Sequence, residues 1–261
     1  MNVNKYDRID TAIEFIRNIA NETNKNLVLG LSGGIDSALV LVLSVQAVGS
    51  DRVKVFMLPY KENQNLIDAW ALATEYKVEA KIISITNIVD AFGCEDSYSK
   101  GNIMARVRMT ILYEKALEHN ALVLGTTNLS EYYLGYFTKW GDGASDLEPI
   151  MNMTKTEVFE FAKFFELPKV FLTKKPSADL WDWQTDEDEM GLTYAEVDKI
   201  IELYYNQFNS MNPIEKFENF LNHLIYSNLD FVDKQLCIKF RNRYISSLHK
   251  LNPIPSNLRP L

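Results

Sequence analysis

Eight consecutive residues, Gly30-Leu-Ser-Gly-Gly-Ile-Asp-Ser37, carry the densest chemistry in the chain. Gly33 and Gly34 free the backbone to turn tightly, and Ser32 and Ser37 place a hydroxyl on either side of them. The stretch follows a short apolar run and precedes a helical pattern, where backbone N–H groups and a helix N-terminus can face an anion. It lacks the lysine of the GxxxxGK[ST] phosphate loop, and its spacing is not the GxGxxG of dinucleotide sites. Among Gly30, Leu31, Ser32, Gly33, Gly34, Ile35, Asp36 and Ser37, the hydroxyls of Ser32 and Ser37 and the flexible backbones of Gly33 and Gly34 are enough to cradle a pyrophosphate. Asp36 would repel phosphate unless a cation stood between them, so a Mg2+ ligand is its natural role. The plainer alternative is a tight strand-to-helix turn with a serine N-cap.

Elements able to hold such a loop are visible on both sides of it. Residues 26–31, 52–58, 80–85 and 121–125 are short runs rich in Val, Ile and Leu, the composition of strands buried on both faces. Helical patterns at residues 6–20, 37–48, 64–76 and 102–120 alternate with them. That alternation predicts an α/β fold with a doubly wound parallel sheet flanked by helices, its ligands at the carboxyl ends of the strands. The second half is helical: Thr154-Lys-Thr-Glu157 and Thr193-Tyr-Ala-Glu196 match the capping box. They open expected helices at 155–165 and 194–209, followed by 213–226 and 230–248. The tail from Asn252 holds three prolines and is not expected to be helical. With no repeat or linker in view, residues 1–261 read as a single domain.

Composition narrows the function. The chain has 261 residues, 27 Lys plus Arg against 35 Asp plus Glu, and a net charge of −8. Such an acidic balance argues against DNA or RNA as the main partner, which requires clustered Lys and Arg. Cys94 and Cys237 stand far apart, so neither a zinc site nor a disulfide framework is expected. No apolar segment approaches a membrane span, and the first residues have no signal-peptide character. A cytoplasmic protein is the expectation.

The pattern SGGxDS at residues 32–37 resembles the loop of the ATP pyrophosphatases, which cleave ATP to AMP and pyrophosphate. Five further stretches narrow the resemblance: Gly101-Asn-Ile-Met-Ala-Arg-Val-Arg-Met109, Gly125-Thr-Thr-Asn-Leu-Ser-Glu131, Gly135-Tyr-Phe-Thr-Lys-Trp-Gly-Asp-Gly143, Pro176-Ser-Ala-Asp-Leu-Trp181 and Gln184-Thr-Asp-Glu-Asp-Glu-Met-Gly-Leu192. In this order, over residues 26–250, they resemble the NAD synthetase family, which implies an adenine-nucleotide hydrolase-like fold with a helical C-terminal part. The resemblance implies a carbon–nitrogen ligase that amidates deamido-NAD with ammonia through an adenylate, the last step of NAD biosynthesis.

By match to the family pattern, the 30–37 loop, Thr126, Lys155 and Ser177 would bind ATP. Asp36 and Glu131 would ligate Mg2+. Arg106, Lys139, Asp146, His249 and Lys250 would bind deamido-NAD, and Asp142 would hold ammonium or accept its proton. A homodimer is implied as well. Read without the family, Lys155 beside its N-cap would be a solvated lysine and Asp186-Glu-Asp-Glu189 an exposed face or loop. Tyr132, Tyr133, Tyr136 and Phe137 would be packing or interface residues, and His119 and His223 structural or surface ones. Trp183, Leu251 and the segment 61–65 depart from the family pattern. With only 29 residues before the loop, and no cysteine among them, free ammonia is expected rather than a fused glutaminase. A separate glutaminase subunit stays open. A tRNA thiolase would bring a basic module and reactive cysteines, and a GMP synthetase its own C-terminal sequence. A regulatory module that had lost catalysis would have no need of Asp36, Glu131, Lys155 and Ser177 together.

Overall fold

The computed structural model describes residues 7–177, 184–208, 214–226 and 233–251. Its centre is a four-stranded, wholly parallel sheet of β1 (Asn26–Gly30), β2 (Val53–Met57), β3 (Glu79–Ile82) and β4 (Ala121–Leu124), in the order β3-β2-β1-β4. The chain winds from β1 to β2 and β3 on one side, then returns to place β4 on the other. The gap between β1 and β4 is therefore the topological switch point, where loops diverge and leave a crevice. The loop after β1 is the glycine-serine stretch, and the loop after β4 is Gly125–Asn128.

Helices cover both faces of β1, β2 and β4, as their continuous apolarity requires, whereas the edge strand β3, expected to be buried on both faces, is largely exposed, Ile82 by 49%. On one side lie α1 (Asp7–Glu22) and α2 (Ile35–Val48). Leu39, Leu41 and Leu43 of α2 are fully buried among Ile16, Leu27 and Leu29. Helix α3 (Gln64–Glu75) links β2 to β3. On the opposite face α4 (Thr86–Asp90) and α5 (Ser97–Glu118) enclose Val28, Phe56, Ile85 and Met104. After β4 come α6 (Leu129–Leu134), α7 (Lys155–Phe164), α8 (Lys169–Thr173), α9 (Asp186–Met190), α10 (Tyr194–Phe208), α11 (Ile214–Tyr226) and α12 (Lys234–Leu251). The last four pack with α6 around their own aromatic core, in which the rings of Tyr133 and Phe217 lie 4.2 Å apart.

The predicted strands and longer helices are present, with shifts at their ends. Helix α5 begins at Ser97 rather than residue 102, because Asp96 accepts from Ser99 N–H at 2.7 Å and caps an earlier turn. Helix α12 runs on to Leu251, while residues 230–232 and the proline-rich tail lie outside the described residues. Helices α4, α6, α8 and α9 are five or six residues long, too short to show a helical period in the sequence. Both predicted capping boxes are formed, at Thr154/Glu157 and Thr193/Glu196. Among the described residues no helix is long and apolar enough to cross a membrane.

One buried carboxylate joins the two halves. Asp198 of α10, 3% exposed, accepts from Ser130 Oγ on α6 and from Thr156 N and Oγ1 on α7, the last two at 2.8 and 2.6 Å. Ser130 Oγ in turn accepts from Lys155 N–H at 2.9 Å. Asp198→Ala strands these donors without water, and a stability loss of roughly 2–4 kcal/mol is expected in urea unfolding. A loss within the ±0.5 kcal/mol typical of surface positions would contradict this role for Asp198.

Candidate active site

The switch point opens into one cleft of about 990 Å3. Its floor is the 30–37 loop. Leu31 N–H continues the β1–β2 ladder onto Phe56 O at 3.0 Å, and the chain then turns through Gly33 at φ +83°. A β-carbon at Gly33 would lie 2.2 Å from Asn65 O, so only glycine fits the turn. Asn65 belongs to the atypical 61–65 segment, whose Asn63 also caps α3 by accepting from Leu66 N–H. Lys174 Nζ locks the contact, donating to Gly33 O at 3.2 Å and Asn65 Oδ1 at 2.7 Å and pairing with Asp68 at 2.5 Å. Ser32 and Ser37 hold each other, Oγ to Oγ, at 3.0 Å. Helix α2 has Gly34 as its N-cap and so no side-chain cap, which leaves its first N–H groups and the positive end of its dipole for an anion.

Beside that helix end lies a buried charge cluster. Lys155, the first residue of α7, reaches Asp36 Oδ2 at 2.6 Å and Glu131 Oε1 at 3.0 Å, with its side chain only 3% exposed. Asn128 Nδ2 donates to Asp36 Oδ1 at 2.9 Å, and Asn128 shares a capping box with Glu131 at the start of α6. Tyr194 spans the remaining side. Its ring lies 5.0 Å from Lys155 Nζ, and its hydroxyl donates to Glu131 Oε1 at 3.4 Å and Asp186 Oδ2 at 2.9 Å. Burial would by itself lower the Lys155 pKa, but Asp36 and Glu131 overturn that and hold the ammonium firmly protonated. Burial, reinforced by Asp36 and Asp186, pushes Glu131 up to about 8 against the pull of Lys155. Burial also raises Asp186, partly offset by Lys155 and the Tyr194 and Tyr136 hydroxyls.

One ammonium thus faces three carboxyl groups, and two of them, Glu131 and Asp186, have raised pKa values because burial leaves their charge incompletely balanced; a divalent cation would supply the missing positive charge. Two carboxylates from different elements, with phosphate and water completing the shell, is the donor set that Mg2+ prefers. Asp36 and Glu131 fit that role. Among the described residues no group of three or more His, Cys, Asp or Glu is arranged to hold an ion by itself.

Asp142 faces the cleft opposite the loop. Its Oδ1 accepts from Thr138 N–H at 2.9 Å, and burial raises its pKa, partly offset by that bond and by Arg108. Behind it lies Glu148, whose carboxylate accepts from Thr127 N at 3.1 Å and Ser145 Oγ at 2.8 Å. It presses on Gly125, where a β-carbon would come within 2.1 Å of it. Burial pushes Glu148 up to about 7.

All of the predicted nucleotide and metal residues line this cleft: the 30–37 loop, Thr126, Glu131, Lys155 and Ser177, together with Asp142. The five residues assigned to deamido-NAD do not. Arg106, Lys139 and His249 meet outside it, Arg106 Nε donating to Lys139 O at 3.4 Å and Lys139 Nζ to His249 O at 2.5 Å. Lys250 Nζ donates to the carbonyls of Gly135 and Phe137, both at 2.7 Å. Asp146 Oδ2 accepts from Val123 N at 2.8 Å and so fastens the edge of β4. Trp183 lies outside the described residues, while Leu251 packs against the aromatic core of the helical part.

Several residues in or behind the cleft escaped the sequence reading. Asn128 was legible, since Asn128-x-x-Glu131 is itself a capping box. Asp186 hid inside an acidic run that looked like a solvated face; it is buried because α9 turns it onto Tyr136 and Tyr194. Tyr136 therefore lines the cleft as well as packing. Nothing in their local spacing marks Lys174, Glu148 or Tyr194.

The family model described as NAD synthase matches residues 8–235. Over 221 residues the chain is 42% identical to the NH(3)-dependent NAD(+) synthetase of Pyrococcus furiosus, covering 81% of this chain and 85% of that one. Among solved structures, the NMN synthetase of Francisella tularensis superposes with a TM-score of 0.81 at 33% identity, over 98% of this chain and 100% of that one. The NH3-dependent NAD synthetase of Campylobacter jejuni, in complex with nitrate, superposes with a TM-score of 0.76 at 29% identity, over the same shares.

A raised carboxylate pKa makes the native state prefer the proton. Glu148 therefore favours folding at pH values below its unfolded pKa of 4.5 and loses that contribution as pH climbs through about 7. Glu148→Gln keeps both hydrogen bonds without the titration. Between about pH 5 and about pH 8 the natural protein is expected to lose up to about 3 kcal/mol of urea stability relative to this variant. Parallel pH profiles of the two proteins would contradict it.

Proposed function

Because the chain belongs to the NAD synthase family, we propose that its cleft carries out the ATP-dependent amidation of deamido-NAD by ammonia, giving NAD, AMP and pyrophosphate. The observation that carries this reading is the convergence of an uncapped helix end, the Asp36–Lys155–Glu131 cluster and Asp142 on a single cleft. The 30–37 loop and the α2 N-terminus bind the triphosphate, with Thr126 at the adenylate and Lys155 and Ser177 on the phosphates. Asp36 and Glu131 would hold a Mg2+, which would supply the charge neutralisation that lets a carboxylate approach a phosphate.

The nicotinate carboxylate oxygen attacks the α-phosphorus, and the bond to the bridging oxygen breaks to release pyrophosphate. Ammonia nitrogen then attacks the acyl carbon, and the bond to the AMP oxygen breaks. Asp142, whose raised pKa brings it nearer neutrality, holds ammonium and takes one proton from it to leave ammonia, while the proton shed from nitrogen after attack passes to the departing AMP phosphate or to water. The likeness to an NMN synthetase favours one second reading, in which nicotinate mononucleotide is the acceptor, since both substrates present the same carboxylate.

Arg106, Lys139, Asp146, His249 and Lys250 form the outer part of the dinucleotide site. Their place outside the cleft supports a homodimer, in which a second copy completes that part. The chain acts as one domain over residues 1–261, in the cytoplasm.

Purified protein with ATP, Mg2+, deamido-NAD and ammonium is expected to give NAD and AMP in equal amounts by mass spectrometry. Glutamine in place of ammonium is expected to give neither, and nicotinate mononucleotide to react far more slowly. Absence of NAD with either nitrogen source, while ATP still binds, would overturn the reading. Faster turnover of the mononucleotide would move it to the second. Asp142→Asn is expected to lower kcat roughly a hundredfold.

A further inference from the structure

The ammonium of Lys155 stands where a divalent cation would have to go. It touches both carboxylates assigned to the metal and is sealed from solvent beneath Tyr194. Its backbone is anchored: Thr154 caps the helix, Lys155 N–H is held by Ser130 Oγ, and Ser130 is tied to Asp198. Only the four-carbon stem is able to move. We propose that Lys155 is the resident counter-cation of the metal site, filling the space between Asp36 and Glu131 until a nucleoside triphosphate draws it onto phosphate oxygens. This inference rests on the metal assignment made above and adds an order to it.

The reason is electrostatic. Without nucleotide, pulling the ammonium away leaves Asp36, Glu131 and Asp186 facing one another in a low-dielectric cleft, and leaves the ammonium without a partner. A divalent cation arriving alone must bear both costs. The 30–37 loop and the start of α2 adjoin Asp36, so a triphosphate seated there brings anionic oxygens within reach of the lysine stem. Lys155 can then exchange one set of oxygens for another without being stripped of hydrogen bonds. Divalent affinity and nucleotide affinity are thereby coupled, and the coupling is reciprocal. Catalytically useless metal occupancy of the empty enzyme is avoided by the same device.

The test is Mn2+ binding to the full chain, followed by electron paramagnetic resonance at about pH 8 without nucleotide. Lys155→Met retains the apolar stem and lacks the charge, and is expected to bind Mn2+ at least about tenfold more tightly than the natural protein. Equal affinities would overturn the inference alone. No Mn2+ binding to either protein, nor to the natural protein with α,β-methylene ATP, would overturn it together with the metal assignment. A second measurement needs neither a folded methionine variant nor metal. In the natural protein with 13C-labelled lysine in EDTA, the Lys155 Cε resonance, assigned with Lys155→Arg, is expected to shift when α,β-methylene ATP is added. A resonance unmoved at saturating analogue would overturn the proposal.

Discussion

A single ammonium between two carboxylates ties together segments that are far apart in the chain. Asp36 opens α2, Glu131 lies on α6 and Lys155 opens α7, and these meet only because β1 and β4 are neighbours in the sheet. Breaking a buried pair by removing one partner leaves an uncompensated charge, which is far costlier than losing a surface salt bridge. The cluster therefore fixes the relative positions of the phosphate loop and the helical part, and at the same time stores the negative charge that a cation later uses.

An acidic chain that handles polyanionic substrates must confine its positive charge. In the cleft, which Lys61, Lys100, Arg108 and Lys175 also line, part of this is done by anchored groups: Lys155 within the carboxylate cluster, Lys174 pinned among Gly33, Asn65 and Asp68, and the uncapped N-terminus of α2. None of these depends on net charge. Two glycines admit the close approaches that shape the cleft. Gly33 lets the loop pass over the start of α3, and Gly125 lets the Glu148 carboxylate brace the end of β4.

Elements marked by a continuous apolar run or by a full helical period were legible in the sequence, as β1, β2 and β4 show for the first and α1 for the second. Short helices such as α6 and α9 were not, because one turn carries no period and its formation is decided by tertiary contacts. The same distinction divides the site. Gly30–Ser37 forms a local motif that could be read directly, whereas Glu131 and Lys155 were reached only through the family resemblance. Asp186, Glu148, Lys174 and Tyr194 are made important by what the fold sets beside them, namely a tyrosine pair, a bare glycine, a turn carbonyl and a buried ammonium. Lys155 itself looks like a solvated lysine after a cap until the sheet order places two carboxylates around it.

The most direct measurement follows oxygen. Deamido-NAD labelled with 18O in the nicotinate carboxylate is converted with ATP and ammonium, and the isolated products are weighed by mass spectrometry. If the cleft joins the carboxylate to the α-phosphorus and ammonia then cleaves the acyl–oxygen bond, one 18O must appear in AMP and none in pyrophosphate. Label in inorganic phosphate with ADP as the co-product would mean attack at the γ-phosphorus, and the proposed arrangement of the nucleotide over the 30–37 loop would be wrong.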